Sequence, residues 1–424
     1  MAAALYERAV QIDPEFALAY QALAREQANE MYAHDVVAAS ATRAYELRTR
    51  TTGQERFNIE TEYHSSVSGA LDRASATAGQ WKAAYPADWR PHHVLAHLHY
   101  TLGQYAEGVQ SGREAVRLNP DVAAAYSNLA GSLFALGRFV EARDVYHEAM
   151  ARGLDAPEYH AFLWRIAYYT GDTEGMQRQM AWASSSASWA SNMPALAAAL
   201  QGQWATARSA TQLASAGFAR RRMPGLVAYA ARYEALTGAL VGDCRTTRRS
   251  APVVLGYDVS DVRASVVLAL ALCGRTDLDP VIRSLRRAQP DSTVLTHGWL
   301  PAIDGATALA RRRPIEAIAA LHDAARYDGA AESWPTYVRG LALLQAGEAA
   351  DAEAAFARIV DQPGRALWFP LAPLSRLGIA RARRLAGDNE GARRAYDQFF
   401  TTWKDADADL PVIVAARQEY ARLP

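Results

Sequence analysis

The residues NPDVAAAYSNLAGSLFALGRFVEARDVYHEAMARGL (119–154) restate the phrase just before them, HHVLAHLHYTLGQYAEGVQSGREAVRLNP (92–120). The two keep register at 34 residues. Gly103 and Gly137 stand that far apart, each followed two positions later by an aromatic ring, Tyr105 and Phe139. Leu95 and Leu129, Ala96 and Ala130, and Ala115 and Ala149 hold the same separation. A third copy follows at Gly171, with Met176 and Ala183 in the later places. A unit this short cannot bury a core alone, so the chain must stack copies of one motif.

The middle copy shows what the motif is. Tyr126, Leu129, Ala130 and Leu133 recur at i, i+3, i+4 and i+7, the stripe of one helix face. Gly137 then ends that helix, because glycine accepts the left-handed conformation that a C-terminal cap needs. Phe139, Ala142, Tyr146 and Ala149 form the stripe of a second helix. Ala130 and Ala142 are small enough for two backbones to approach closely while Tyr146 fills the groove beside them. Pro120 separates one unit from the next, and Gly153-Leu154 takes over that place in the following unit.

Weaker copies continue the array. GQWATARSATQLA (202–214) repeats the spacing of glycine, aromatic and alanines, and first helices are expected from Tyr229 to Gly242 and from Val262 to Gly274. A second helix is expected from Glu316 to Ala325, after the RRRP turn. Closer copies return at 337–360, around Gly347, and at 377–400, around Gly387. The turn positions are therefore 103, 137, 171, 202, 242, 274, about 312, 347 and 387. The spacing predicts an all-α solenoid of antiparallel helix pairs, about eleven hairpins over residues 1–424. Residues 1–183 carry the more regular repeats, 184–330 degenerate ones, and 331–424 the final repeats and a capping helix near 411–423. SSSASWASNM (184–193) is the nearest approach to a loosened joint. At the start, Ala2, Tyr6, Ala9 and Pro14 match the spacing of a second helix. The expectation is that Met1 lies inside a longer natural protein, the alternative being an unpaired capping helix.

Bulk chemistry narrows the function classes. Half of the 424 residues are hydrophobic and 21% are charged, as in a folded soluble chain. Basic and acidic residues balance at 45 each, so no global field favours nucleic acid or a membrane surface. Residues 201–320 are locally basic, with 16 arginines against 9 acidic residues. The arginine clusters at 220–222, 245–249, 283–287 and 311–313 are read as solvated turns and helix ends, with an acidic partner surface as the alternative. SVVLALALCG (265–274) is about half the length of a membrane span. Cys244 and Cys273 show no disulfide framework and are expected to be thiols of a reducing compartment, so a cytoplasmic location is the default.

The period and the paired small and large residues resemble the tetratricopeptide repeat, a helix–turn–helix unit. The phrase GDNEGARRAYDQFFTTWKDADADLPVIVAARQEYARL (387–423) further resembles the C-terminal signature of repeat arrays attached to bacterial eukaryote-like serine/threonine kinases. QWKAAYPADWRPHHVLAHL (80–98) and ARGLDAPEYHAFLWRIAYYTGD (151–172) fit the same kind of array, and sister arrays follow winged-helix DNA-binding regulators. The resemblance implies a sensory or docking region behind a signalling output domain. No kinase part is present in these residues: there is no glycine-rich phosphate loop, no HRD-type catalytic loop and no DFG triplet. A P-loop and a winged-helix segment are absent too.

No catalytic residue, cofactor site or metal site is assigned. His93 and His97 share a helix face, yet no acidic residue separates them as in HExxH and no third ligand is evident. DADAD (405–409) lacks the glycine and the bidentate glutamate of a calcium loop and reads as a linker into the capping helix. Asn128 resembles the asparagine of a two-carboxylate clamp, but Glu158 in a matching place would repel a carboxylate. Trp164, Tyr168, Tyr169 and Trp182 are read mainly as core. The expected partner is a protein or peptide on the concave wall, where first-helix positions off the packing stripe are His93, His97, Tyr100, Ser127, Gly131 and Phe134.

Overall fold

A computed structural model describes residues 2–29, 34–186 and 188–424. Met1, on which the reading of the start rests, and Ala187, inside the expected loosened joint, lie outside the described residues. The described chain is helical, with no strand. A lone α1 (Ala2–Ile12) precedes the pairs α2 (Ala17–Asn29) with α3 (His34–Glu46) and α4 (Gly53–Ser66) with α5 (Leu71–Ala84). Next come α6 (Trp89–Thr101) with α7 (Tyr105–Leu118), and α8 (Ala123–Ala135) with α9 (Phe139–Ala151). They are followed by α10 (Pro157–Thr170) with α11 (Thr173–Ser185), then α12 (Met193–Leu200) with α13 (Trp204–Arg220). The basic middle holds α14 (Pro224–Val241) with α15 (Cys244–Leu255) and α16 (Ser260–Leu272) with α17 (Asp279–Ala288). The last pairs are α18 (Leu300–Ala310) with α19 (Pro314–Ala320), α20 (Trp334–Ala346) with α21 (Ala349–Asp361), and α22 (Leu371–Leu385) with α23 (Asn389–Thr402). A final α24 (Pro411–Ala421) covers the end of the array. This is an all-α superhelix of tetratricopeptide type.

The turns follow from two residue types. Gly103, Gly137, Gly171, Gly202, Gly242, Gly274, Gly347 and Gly387 all have positive φ and close a first helix. At three of them an aspartate comes next and caps the second helix. Asp172, Asp243 and Asp388 accept from the backbone N–H groups of Gly175, Thr246 and Gly391 at 2.8, 3.1 and 2.8 Å. Gly-Asp is thus a two-residue instruction, stop one helix and start the next. Arg312 takes the glycine place in the RRRP turn, with φ +59.

The small and large residues of the repeat sit where close packing needs them. Ala96, Ala115, Ala130, Ala142, Ala149, Tyr126 and Tyr146 are all fully buried, and Leu129 nearly so. Tyr159 ties neighbouring hairpins together by donating to the Ala123 carbonyl at 2.7 Å. Asn119 is the C-terminal cap of α7, and Pro120 stands just beyond it in the turn to the next unit.

Three expectations are corrected. The helix starting at Tyr229 begins earlier, at Pro224, because proline is well placed in a first turn. The second helix expected to run to Ala325 stops at Ala320, and a 3-10 segment, Asp323–Ala331, follows. That segment carries Gly329 against the Gly103 turn, where a Cβ on either glycine would collide with the other backbone. Lastly, Cys244 and Cys273 are bonded to each other, with Cα atoms 5.6 Å apart, and are not free thiols. Each cysteine flanks a turn glycine, Gly242 or Gly274, and stacked hairpins place consecutive turns side by side.

The superhelix also folds back on itself. Hairpin tips of the early repeats meet the linkers between late repeats, about 200 residues on. Leu71 N–H donates to Thr293 Oγ1 at 3.0 Å, and Thr293 N–H donates to the Gly69 carbonyl at 2.9 Å. Tyr105 reaches the Gly329 carbonyl at 3.3 Å and Tyr169 that of Pro363 at 3.4 Å. Trp403 Nε1 donates to the Leu200 carbonyl at 3.1 Å, and Asp407 accepts from Ala205 N–H at 2.7 Å. Successive coils are therefore in contact, and the groove between them is partly filled by the chain's own linkers.

Candidate functional site: the concave wall

α6, α8 and α10 pack in succession, and α6, α10, α12 and α14 contribute to one cavity. On α6, His93, His97 and Tyr100 succeed one another along one face. His93 Nδ1 lies 3.4 Å from the Asn128 amide of α8. Burial, and then the neighbouring His97, push His93 down to about 4, so this ring is neutral at physiological pH. His97 stays accessible one turn further on. Tyr100 turns inward, and its ring meets Gly131, where a Cβ would lie 3.2 Å from a ring carbon.

The α8 part of the wall is less open. Ser127 has a buried hydroxyl, and Gly131 is buried. Phe134 is only 1% exposed. Its ring packs against Phe139 and Phe162 at 5.2 and 5.4 Å, and Gly364 of the linker after α21 presses on its backbone. Tyr100 and Gly131 are in contact, His93 meets α8 through Asn128, and the chain itself covers the Phe134 end. Nothing in the local sequence signals this cover, because the covering linker is 230 residues away.

Beyond Tyr100 the wall opens into a cavity of about 480 Å³. α10 contributes Phe162 and Arg165, α13 and α14 contribute Phe218 and Tyr233, and Leu367 and Trp368 of the same linker form a roof. Leu367 has φ +48 with ψ −113, a backbone conformation that residues bearing a side chain rarely adopt. Arg165, Asn192 and the roof were not singled out by the repeat pattern. The signal available was an arginine on an otherwise aromatic stretch of helix, AFLWRIAYY.

Trp164 is core, while Tyr168, Tyr169 and Trp182 are half-buried and packed against buried clusters. Trp164 stacks on Tyr168 at 5.5 Å, and Trp182 stacks on His160 at 3.6 Å. Several clustered arginines are engaged: Arg249 with Glu234, Arg286 with Asp304, and Arg313 with Glu316. Among the described residues no three His, Cys, Asp or Glu side chains converge as a metal site requires, and no helix is long and apolar enough to cross a membrane.

Comparison with known proteins follows the repeats. No curated protein sequence matches the chain. Among solved structures, the TPR domain of P58(IPK) aligns over 88% of this chain and 98% of its own, with 11% identity and a TM-score of 0.25. Yeast Tom70 aligns over 87% and 94%, with 12% identity and a TM-score of 0.28. The tetratricopeptide repeat family model matches residues 93–157 and 337–406, which span α6 to α9 and α20 to α23. Those two segments are tetratricopeptide repeats.

Proposed function

We propose that the chain is a noncatalytic protein- or peptide-binding scaffold, the sensory or docking region of a bacterial signalling protein. The observation that carries this reading is the tandem array of helical hairpins, two stretches of which match the tetratricopeptide repeat model. Specificity would reside in the side chains that successive first helices present, with His97 and the Tyr100 edge as accessible points on α6. A kinase catalytic domain joined to this array is the second reading. It rests on the resemblance of residues 387–423 to kinase-associated arrays, and a winged-helix output domain is its counterpart.

Two measurements test this reading. The first is the mass of the native protein recovered from its source cells with an antibody to the array. A species near the 46.2 kDa of this chain means that the array acts alone. One heavier by about 30 kDa or more, the scale of a large domain, means that it is joined to an output domain. The second places a photocrosslinking residue at His97, on the concave wall, or at Val140, an exposed position of a second helix. A defined protein adduct from position 97 and none from 140 is expected; the reverse pattern overturns the concave-wall reading. A cytoplasmic location belongs to this proposal and meets one opposing observation, the Cys244–Cys273 bond, a form that oxidising compartments maintain. Thiol trapping in the source cells decides it, since free thiols place the chain in the cytoplasm and blocked ones do not.

A further inference from the structure

Among the described residues two arginines are buried, and one of them, Arg232, has a counter-ion. Arg232, 6% exposed, pairs with Glu332 at 2.8 Å and donates to Ser265 Oγ at 3.1 Å. Arg165, 2% exposed, has no carboxylate partner among the described residues. Its Nε and Nη1 are buried without an acceptor among the described residues. Around it stand rings: Phe162 at 4.0 Å, Phe134 at 4.7 Å and Trp368 at 5.2 Å from the guanidinium carbon. Aromatic neighbours of this kind supply no hydrogen-bond acceptor in the guanidinium plane, so its N–H groups keep their capacity for an anion. A buried, unpaired cation is strongly unfavourable, and a guanidinium does not escape the penalty by losing its proton. Arg165 lines the 480 Å³ cavity, as does Asn192, 6% exposed, whose side-chain oxygen also lacks a donor.

We propose that this cavity is a binding site for a small monoanionic carboxylic acid with an apolar body, its carboxylate seated on Arg165. The volume is that of small-molecule sites, and the walls are mostly apolar and aromatic with a few polar groups, the composition such sites share. The Arg165 edge can hold a carboxylate through two parallel hydrogen bonds. Asn192 offers a second polar contact, since an amide can present either its oxygen or its NH₂. A polyanion fits poorly. Glu158 lines the same cavity seven residues before Arg165, about 10 Å away along α10, and would repel a second negative group. The site goes beyond the scaffold reading and does not depend on it.

The test uses the full chain, titration calorimetry and the fluorescence of Trp189 and Trp368, which line the cavity. The probes are octanoate, 3-phenylpropionate and indole-3-acetate, each beside its neutral primary amide. At least one acid should saturate a single site and bind about tenfold or more tightly than its amide. Arg165→Met should erase that preference while melting no lower than the parent, because it removes an unpaired buried charge. If Arg165→Met does not fold, Asn192→Asp must weaken the acid by about tenfold and spare the amide. The proposal is overturned if no acid outbinds its amide, or if the variant that folds keeps the preference. A peptide Gly-Gly-Phe binding about tenfold tighter than 3-phenylpropionate would overturn the small-molecule assignment in favour of a peptide C-terminus.

Discussion

Cys244 and Cys273 each stand beside a turn glycine, and the turns in question are consecutive. Closing a loop of about thirty residues in the unfolded chain stabilises the fold by about 3.5 kcal/mol in the chain-entropy account. Cys244→Ser should therefore lower the urea midpoint by that equivalent, and dithiothreitol should lower the parent but leave the variant unmoved. Equal midpoints for parent and variant would show that the bond does not form in solution. The residue scale also shows what the sequence carries openly. A glycine at 103, 137 or 171 declares a helix stop because few other residues hold positive φ without strain. The cysteines were misread because a count of two says nothing of pairing until the repeat register is applied to them. Once it is, their 29-residue separation is nearly one turn-to-turn interval, and stacked turns are neighbours.

At the scale of the element, α6 and α8 carry most of what was legible. Their stripes place Ala96, Leu129, Ala130 and Leu133 inside, and all four are buried. Ala130→Trp should force α8 away from its partners and lower stability by about 3 kcal/mol or more, through overpacking. A midpoint within error of the parent would mean that the register of this hairpin is wrong. The polar face of α6 adds a pH dependence. His93 is held down to about 4 by burial, while an unfolded histidine titrates near 6.5. The unfolded chain thus binds more protons between these values. Stability is complete above about 6.5 and is lost as pH falls towards about 4, by about 1–3 kcal/mol after allowing for the ring's partial exposure. In urea titrations His93→Gln should flatten the loss between pH 7 and 4.5; an unchanged slope would assign it to other groups. What α8 did not disclose is that Phe134, apolar and off the main stripe, meets a distant linker and not a partner.

At the scale of the whole molecule, a repeat array is usually quasi-one-dimensional, each hairpin touching only its neighbours. Here the second coil packs on the first, and the contacts at Gly69, Gly103, Phe134 and Gly202 join residues roughly 200 positions apart. No local pattern encodes such contacts, which is why the linkers at 323–331 and 363–369 were not readable as structural elements. Their consequence is cooperative: loss of one coil exposes the wall of the other, so the chain should unfold in one transition where an open array could fray from its ends. Gly329 gives the sharpest probe. A Cβ there would lie 2.7 Å from the Gly103 Cα, against backbone that cannot move aside cheaply. Gly329→Leu should part the coils at the Gly103 turn, where the new side chain meets that backbone and the Tyr105 ring. The expected result is a larger radius of gyration by small-angle scattering, helical content unchanged by circular dichroism, and denaturation resolved into two steps. A variant as compact as its parent that still unfolds in one step would mean that cooperativity comes from the hairpin stack alone, with the coil contacts contributing nothing to it.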